Sequence, residues 1–213
     1  AAGSSPLGGA PGFQFAVDAG SLPRSPHEVL AGADVPLLIG SNTDEYRLWF
    51  TPAALARISE MKLLLGRLAL RIPRRAVAAY RSAFPGATTG EIFGQLATDI
   101  MLRGPLTTLA RARTAPTYVY EFAWRSPVRD LRAAHALELG FVFDRLGDPE
   151  AKRLAGAEAP QGLADEMHSA WVSFIKTGDP GWPVFGAERT TRLFDTDSAT
   201  VPQRRTDALD LLP

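Results

Sequence analysis

Val35 to Asn42, Thr117 to Trp124 and Thr190 to Phe194 are short runs with strand character, separated by long stretches whose apolar residues recur at helical spacing. This alternation constrains the chain more than any single motif. Strands and helices that alternate can bury their apolar sides together only as a sheet covered by helices, which predicts an α/β fold. Ser25 is placed to cap a short helix, with Pro26 at its first position and Glu28 in capping-box register. Leu55, Ile58, Leu63, Leu64, Leu65 and Leu68 predict a helix over Thr51 to Leu70, and Pro73 divides it from another over Arg74 to Phe84. Thr88-Thr89-Gly90-Glu91 offers a start for a helix through Ala115, interrupted at Gly104-Pro105 and closed by Pro116. A charged stretch, Asp144 to Pro160, precedes a helix from Leu163 to Lys176 whose apolar face joins Leu163, Met167, Ala170, Trp171 and Phe174. Gly178 stops that helix, and Thr190 to Phe194 with Thr200-Val201 supplies a last short strand or hairpin. Few strands accompany many helices, so the sheet is expected to be incomplete and to leave an edge or apolar face uncovered unless more of it is supplied.

Composition narrows the classes of function. Hydrophobic residues make up 46% of the chain and charged residues 22%, which supports a packed core and not a disordered segment. Lys and Arg total 23, as do Asp and Glu. That balance lacks the basic footprint of nucleic-acid binding, so no nucleic-acid partner is expected. No apolar run approaches the roughly 20 residues needed to span a bilayer, and no membrane partner is expected. The absence of cysteine rules out a disulfide framework or thiolate metal site in these residues and is compatible with a reducing compartment, so a cytoplasmic location is the expectation. A secretory signal upstream stays open, because Ala1 lacks a preceding methionine and Ala1 to Gly12 reads as a loop within a longer polypeptide.

Two segments carry chemistry. Ala133-Ala134-His135-Ala136-Leu137-Glu138 sets a histidine in a turn before the apolar run Leu139 to Phe143, and Asn42-Thr43-Asp44-Glu45 follows the first strand at its C-terminal end. Open α/β sheets present their reacting groups at that end. Taken locally, a lone histidine in a loop is more often structural, and an adjacent acidic pair more often a solvated helix start. His27 and His168 carry no comparable pattern; His168 reads as helix surface or packing, and Trp171, Phe174 and Trp182 read as core.

These two segments, with Phe15-Ala16-Val17-Asp18, Pro36-Leu37-Leu38-Ile39-Gly40-Ser41, Tyr118-Val119-Tyr120-Glu121-Phe122-Ala123-Trp124 and Ala170 to Pro183, resemble the C-terminal part of the type-B carboxylesterases. These are α/β-hydrolases and include bacterial para-nitrobenzyl esterases and cholinesterases. The resemblance implies the C-terminal portion of an α/β-hydrolase fold, with residues 1–213 forming part of a single domain. It implies that Glu45 is the acid and His135 the base of a Ser-Glu-His triad acting on a small-molecule ester through an acyl-enzyme. It gives Asp44 and Glu138 structural roles, and places Leu48 and Trp49 at the substrate pocket or in the core. No metal or organic cofactor is implied. No Gly-x-Ser-x-Gly elbow occurs in these residues, so the serine is expected in an N-terminal part of the same hydrolase, and this segment alone is expected to be inactive. The chain departs from the family pattern at Tyr46, Gly140 and Asp144; Tyr46 is expected to reshape the acid loop and narrow the pocket. The rival class is a catalytically silent, carboxylesterase-like binding or interaction module that keeps Glu45 and His135 as remnants.

Overall fold

Strand β1 (Leu37–Asn42) runs parallel to β2 (Thr117–Phe122), β2 runs parallel to β3 (Thr190–Phe194), and β4 (Ala199–Pro202) returns antiparallel along β3. The sheet order is therefore β1-β2-β3-β4. The computed structural model describes residues 18–213. The expected loop at Ala1 to Gly12, and Phe15, Ala16 and Val17 of the resemblance, lie outside the described residues. The architecture is α/β, a mostly parallel sheet with flanking helices.

Side-chain oxygens set where four of the helices begin. Helix α1 (Pro26–Ala31) starts at Ser25, whose hydroxyl accepts the Glu28 N–H at 3.3 Å. The single helix expected over Thr51 to Leu70 is two, α2 (Pro52–Ala56) and α3 (Glu60–Ala69). Thr51 caps the first and Ser59 the second, and a Ser hydroxyl that captures a backbone N–H favours a fresh helix start over continuation. After α4 (Arg74–Ala83), the full capping box of Thr88 and Glu91 opens α5 (Thr89–Thr98). A π-helical turn, Asp99–Arg103, then joins α5 to α6 (Gly104–Ala112). Pro105 has no N–H and its ring crowds the carbonyl four residues back, so the helix widens just before it. Beyond the histidine loop come α7 (Leu139–Val142), α8 (Pro149–Ala155), α9 (Gln161–Thr177) and α10 (Thr206–Leu209). Helix α8 lies inside the stretch read only as charged. Gly178 ends α9 with φ 78°, a left-handed conformation that suits glycine.

The period-two alternation of β2 divides the core. Tyr118 and Phe122 face Phe141 of α7, Leu163 and Met167 of α9, Phe194 and Trp182. Val119 faces the other way, onto Leu106 and Ala110 of α6 and Phe185. Trp171 and Phe174 pack half-buried against the first group, while Trp182 is buried within it. Each fully buried Leu, Ile, Met or Phe side chain contributes about 1.5–3 kcal/mol. A third cluster, including Leu63, Ala76, Tyr80, Ile92, Leu96 and Ala208, joins α3, α4, α5 and α10. Gly40 lets β1 lie close beneath Tyr120: a Cβ there would come within 2.3 Å of the tyrosine ring. The result is a stiff platform whose parallel strands end together beneath the acid and histidine loops.

Candidate active site

The backbone ladder delivers the acid loop. Beyond β1, the Thr43 N–H donates to Phe122 O and the Asp44 N–H to Ala133 O, both at 2.9 Å. Glu45 then opens a 3-10 turn, Glu45–Leu48, and its side chain is buried. One carboxylate oxygen, Oε1, accepts the Asn42 N–H at 2.7 Å, and Oε2 lies 2.7 Å from His135 Nδ1. The His135 N–H also donates to Glu45 O at 3.3 Å. Two side chains 90 residues apart are thus at hydrogen-bonding distance.

The histidine loop is held in an unusual path. Arg129, Asp130, Arg132 and Ala136 have φ of 48°, 54°, 52° and 64°, left-handed values that side chains other than glycine seldom adopt. Such residues persist where surroundings overdetermine them. Here Ser126 N–H bonds to Arg132 O, Arg132 pairs with Glu91 at 2.8 Å, and Arg47 pairs with both Glu91 and Asp130 at 2.5 Å. His135 keeps its side chain 44% exposed. Trp49, itself 54% exposed, sits against the imidazole with ring centroids 4.8 Å apart, and Leu48 is exposed beside it in sequence.

A carboxylate can only accept, so Nδ1 carries the hydrogen of the His135–Glu45 bond. Nε2 keeps its lone pair and has no hydrogen-bond partner among the described residues. The bond to Glu45 is the main cause that holds the His135 pKa above its ordinary value, against partial burial and with help from the charges of Glu45 and Glu138. A basic nitrogen on a half-exposed ring, fixed in tautomer and orientation, is suited to taking and returning a proton.

The neighbouring acids behave differently. Glu138 accepts from Asn42 Nδ2 at 2.5 Å, and burial raises its pKa despite that bond. Asp44 accepts from Gln95 Nε2 at 2.8 Å, and burial raises its pKa against the pull of Arg132 and Arg47. Both carboxyls brace loops. Tyr46 is buried against Gly94 of α5, with its N–H on Thr98 Oγ1 at 3.2 Å. Its ring therefore anchors the acid loop to α5, and it is Trp49 that meets the imidazole. His168 bonds Val142 O at 2.9 Å and ties α9 to α7. His27 lines a cavity of about 930 Å³ with Pro105, Arg111 and Leu209, which neither Glu45 nor His135 lines.

Sequence reasoning missed the buried charges beneath this site. Glu121 on β2 accepts from Arg103 at 3.1 Å, Arg204 at 2.7 Å and Arg205 at 2.9 Å, and it also bonds Thr43 Oγ1 at 2.8 Å. Arg103 further donates to Asp99 and to the Asn42 carbonyl at 3.0 Å. A glutamate inside a strand otherwise of aromatic and β-branched residues was the only local signal, since its partners lie 18 to 84 residues away. Among the described residues, no three His, Cys, Asp or Glu converge to hold a metal ion, and no helix is long and apolar enough to cross a membrane.

An acid at the C-terminal end of one parallel strand, bonded to a histidine on the loop after the next, is an arrangement of the α/β-hydrolase class. The sequence model of the carboxylesterase family matches residues 6–201, and the chain belongs to that family. It is 32% identical over 201 residues to the para-nitrobenzyl esterase of Bacillus subtilis (strain 168), covering 87% of this chain and 40% of that protein. It is 28% identical to the phenmedipham hydrolase of Pseudarthrobacter oxydans, covering 83% of this chain and 38% of that one. Among solved structures, a carboxylesterase of Geobacillus stearothermophilus superposes with a TM-score of 0.78 at 30% identity, over 92% of this chain and 45% of that chain. The chain thus spans about 40% of the length of these curated relatives.

Proposed function

We propose that this chain is the acid- and base-bearing part of a serine carboxylesterase. The observation that carries the reading is the 2.7 Å contact between Glu45 and His135 Nδ1, which leaves Nε2 with its lone pair on a half-exposed ring. Family membership and likeness to ester-hydrolysing relatives support it. The nucleophile belongs to another segment of the same hydrolase, because these residues contain no Gly-x-Ser-x-Gly elbow.

In this mechanism Nε2 takes the proton of the serine hydroxyl as Oγ attacks the ester carbonyl carbon. The same N–H then protonates the departing alkoxide as the tetrahedral intermediate collapses to an acyl-enzyme. A water molecule repeats the sequence on the acyl group and releases the acid. Glu45 fixes the tautomer and stabilises the imidazolium. Neither a metal nor an organic cofactor takes part. Trp49 and Leu48 line the approach for a small ester.

The test compares two polypeptides with para-nitrophenyl acetate. The complete hydrolase should release para-nitrophenol and be labelled on serine by a fluorophosphonate, while the 213-residue chain alone should do neither. Equal turnover by the isolated chain would place the nucleophile within it and overturn the assignment.

A further inference from the structure

Asn42 stands between the acid and histidine loops, and both its backbone N–H and its side-chain NH2 donate into them. Its N–H donates to Glu45 Oε1 at 2.7 Å, and its carbonyl accepts from Arg103 Nη2 at 3.0 Å. Its side-chain amide donates to Ala134 O at 2.7 Å and to Glu138 Oε2 at 2.5 Å. The residue is 1% exposed. Ala134 is the residue before His135, and Glu138 lies three after it, so the amide grips the histidine turn on both sides.

The orientation of that amide is dictated by its partners. A carbonyl and a carboxylate both accept, so the NH2 group must face them. The Oδ1 atom is left buried without a partner. An unpaired buried acceptor is unfavourable, and an apolar residue at the end of β1 would avoid it, as Phe122 does opposite Asn42 in register. What such a residue would lose is the link between the two loops.

We propose that Asn42 is a positioning residue for the reaction: by clamping Ala134 and Glu138 to the strand end that also holds Glu45, it sets where the His135 imidazole stands. The proposal rests on His135 being the base. Asn42 touches neither the reacting atoms nor the ring, and acts through the turn. Glu45 bonds His135 Nδ1 at 2.7 Å, and the charges of Glu45 and Glu138 both favour the protonated ring.

The experiment uses the complete hydrolase, with kcat expressed per folded molecule so that a poorly folding variant still reports. Asn42→Ala keeps the backbone bond to Glu45 and removes the clamp. Its kcat on para-nitrophenyl acetate should fall about 10- to 100-fold, as expected of a misplaced catalytic group, with KM within about twofold. Asn42→Asp, which places a carboxylate against Glu138 and the Ala134 carbonyl, should be worse. Adding Glu138→Gln to Asn42→Asp restores an amide–carboxylate bond in reverse and should recover at least part of the loss in kcat. If Asn42→Ala keeps kcat within twofold of the parent while His135→Ala is inactive, the positioning role is overturned and the base assignment stands. If His135→Ala turns over normally, the base assignment itself fails.

Discussion

Trp49 covers one side of the His135 imidazole, its ring centroid 4.8 Å away and its plane inclined by 34°. Glu45 fixes Nδ1, and the indole limits how far the ring can swing about that bond. An aromatic pair of this kind is worth about 0.5–1.5 kcal/mol beyond its buried area, or about two- to tenfold in rate if the whole of it is felt in the transition state. Trp49→Ala should lower kcat/KM on para-nitrophenyl esters by about twofold to tenfold, and Trp49→Phe should stay near the parent. Because Trp49 is 54% exposed, the stability change should be small. Steady-state kinetics with a urea unfolding curve checks both; a rate unchanged by Trp49→Ala would remove the indole from the site.

The pH profile follows from the sign of the His135 shift. In the proposed mechanism the histidine works when neutral, so kcat/KM should rise with pH through a midpoint above the ordinary histidine value of about 6.5. Glu45→Gln removes the main cause of the shift, so the midpoint of the residual activity should move to lower pH. For stability, a raised folded-state pKa contributes fully below the unfolded value and is lost as pH rises through the folded value. The half-exposed ring makes that contribution small. A midpoint that ignores Glu45→Gln would separate the rate from His135.

Glu121 should dominate stability beneath the site. Burial alone would raise its pKa, but Arg103, Arg205 and Arg204 together hold it well below the usual carboxylate range. Its contribution is present above the unfolded pKa and lost as pH falls through the folded one. Removing one member of a buried ionic group commonly costs about 3–5 kcal/mol. Glu121→Ala should destabilise the complete hydrolase by that order in urea at neutral pH and reduce activity through Thr43 and Asn42. A loss under 1 kcal/mol would show that the arginines rearrange without it.

Gly94 offers a test in which two effects oppose. In an ordinary helix interior, Gly→Ala gains about 0.5–1 kcal/mol. Here the added Cβ would stand 2.2 Å from the Tyr46 ring, and overpacking costs about 1–3 kcal/mol. Gly94→Ala should therefore lower Tm and shift the acid loop through Tyr46, visible as reduced kcat. A raised Tm would mean that Tyr46 moves freely.

The parts of this fold that were legible in sequence are those fixed by local chemistry. Ser25, Thr88 with Glu91, and Gly178 marked helix ends because their side chains or backbone freedom act within four residues. The strand at Thr117 to Phe122 was readable from aromatic and β-branched content, and the one at Leu37 to Asn42 as a short apolar run. Helix α8 was not, because its Asp148-Pro149 start was submerged in a charged stretch, and the break at Ser59 was hidden by leucines on both sides. At the candidate site, Glu45 and His135 were singled out through family resemblance and not through spacing, and the structure brings their side chains within 2.7 Å. Asn42, Arg103 and Glu121 were opaque because their meaning lies in partners 61 to 96 residues away or more than a helix distant.

The role of His135 as base is tested most directly by single-turnover acylation of the complete hydrolase by para-nitrophenyl acetate, with and without His135→Ala. The variant should fold as the parent does and acylate about 10⁶-fold more slowly, in line with loss of the triad histidine. Acylation within tenfold of the parent would contradict the assignment of His135 as the base.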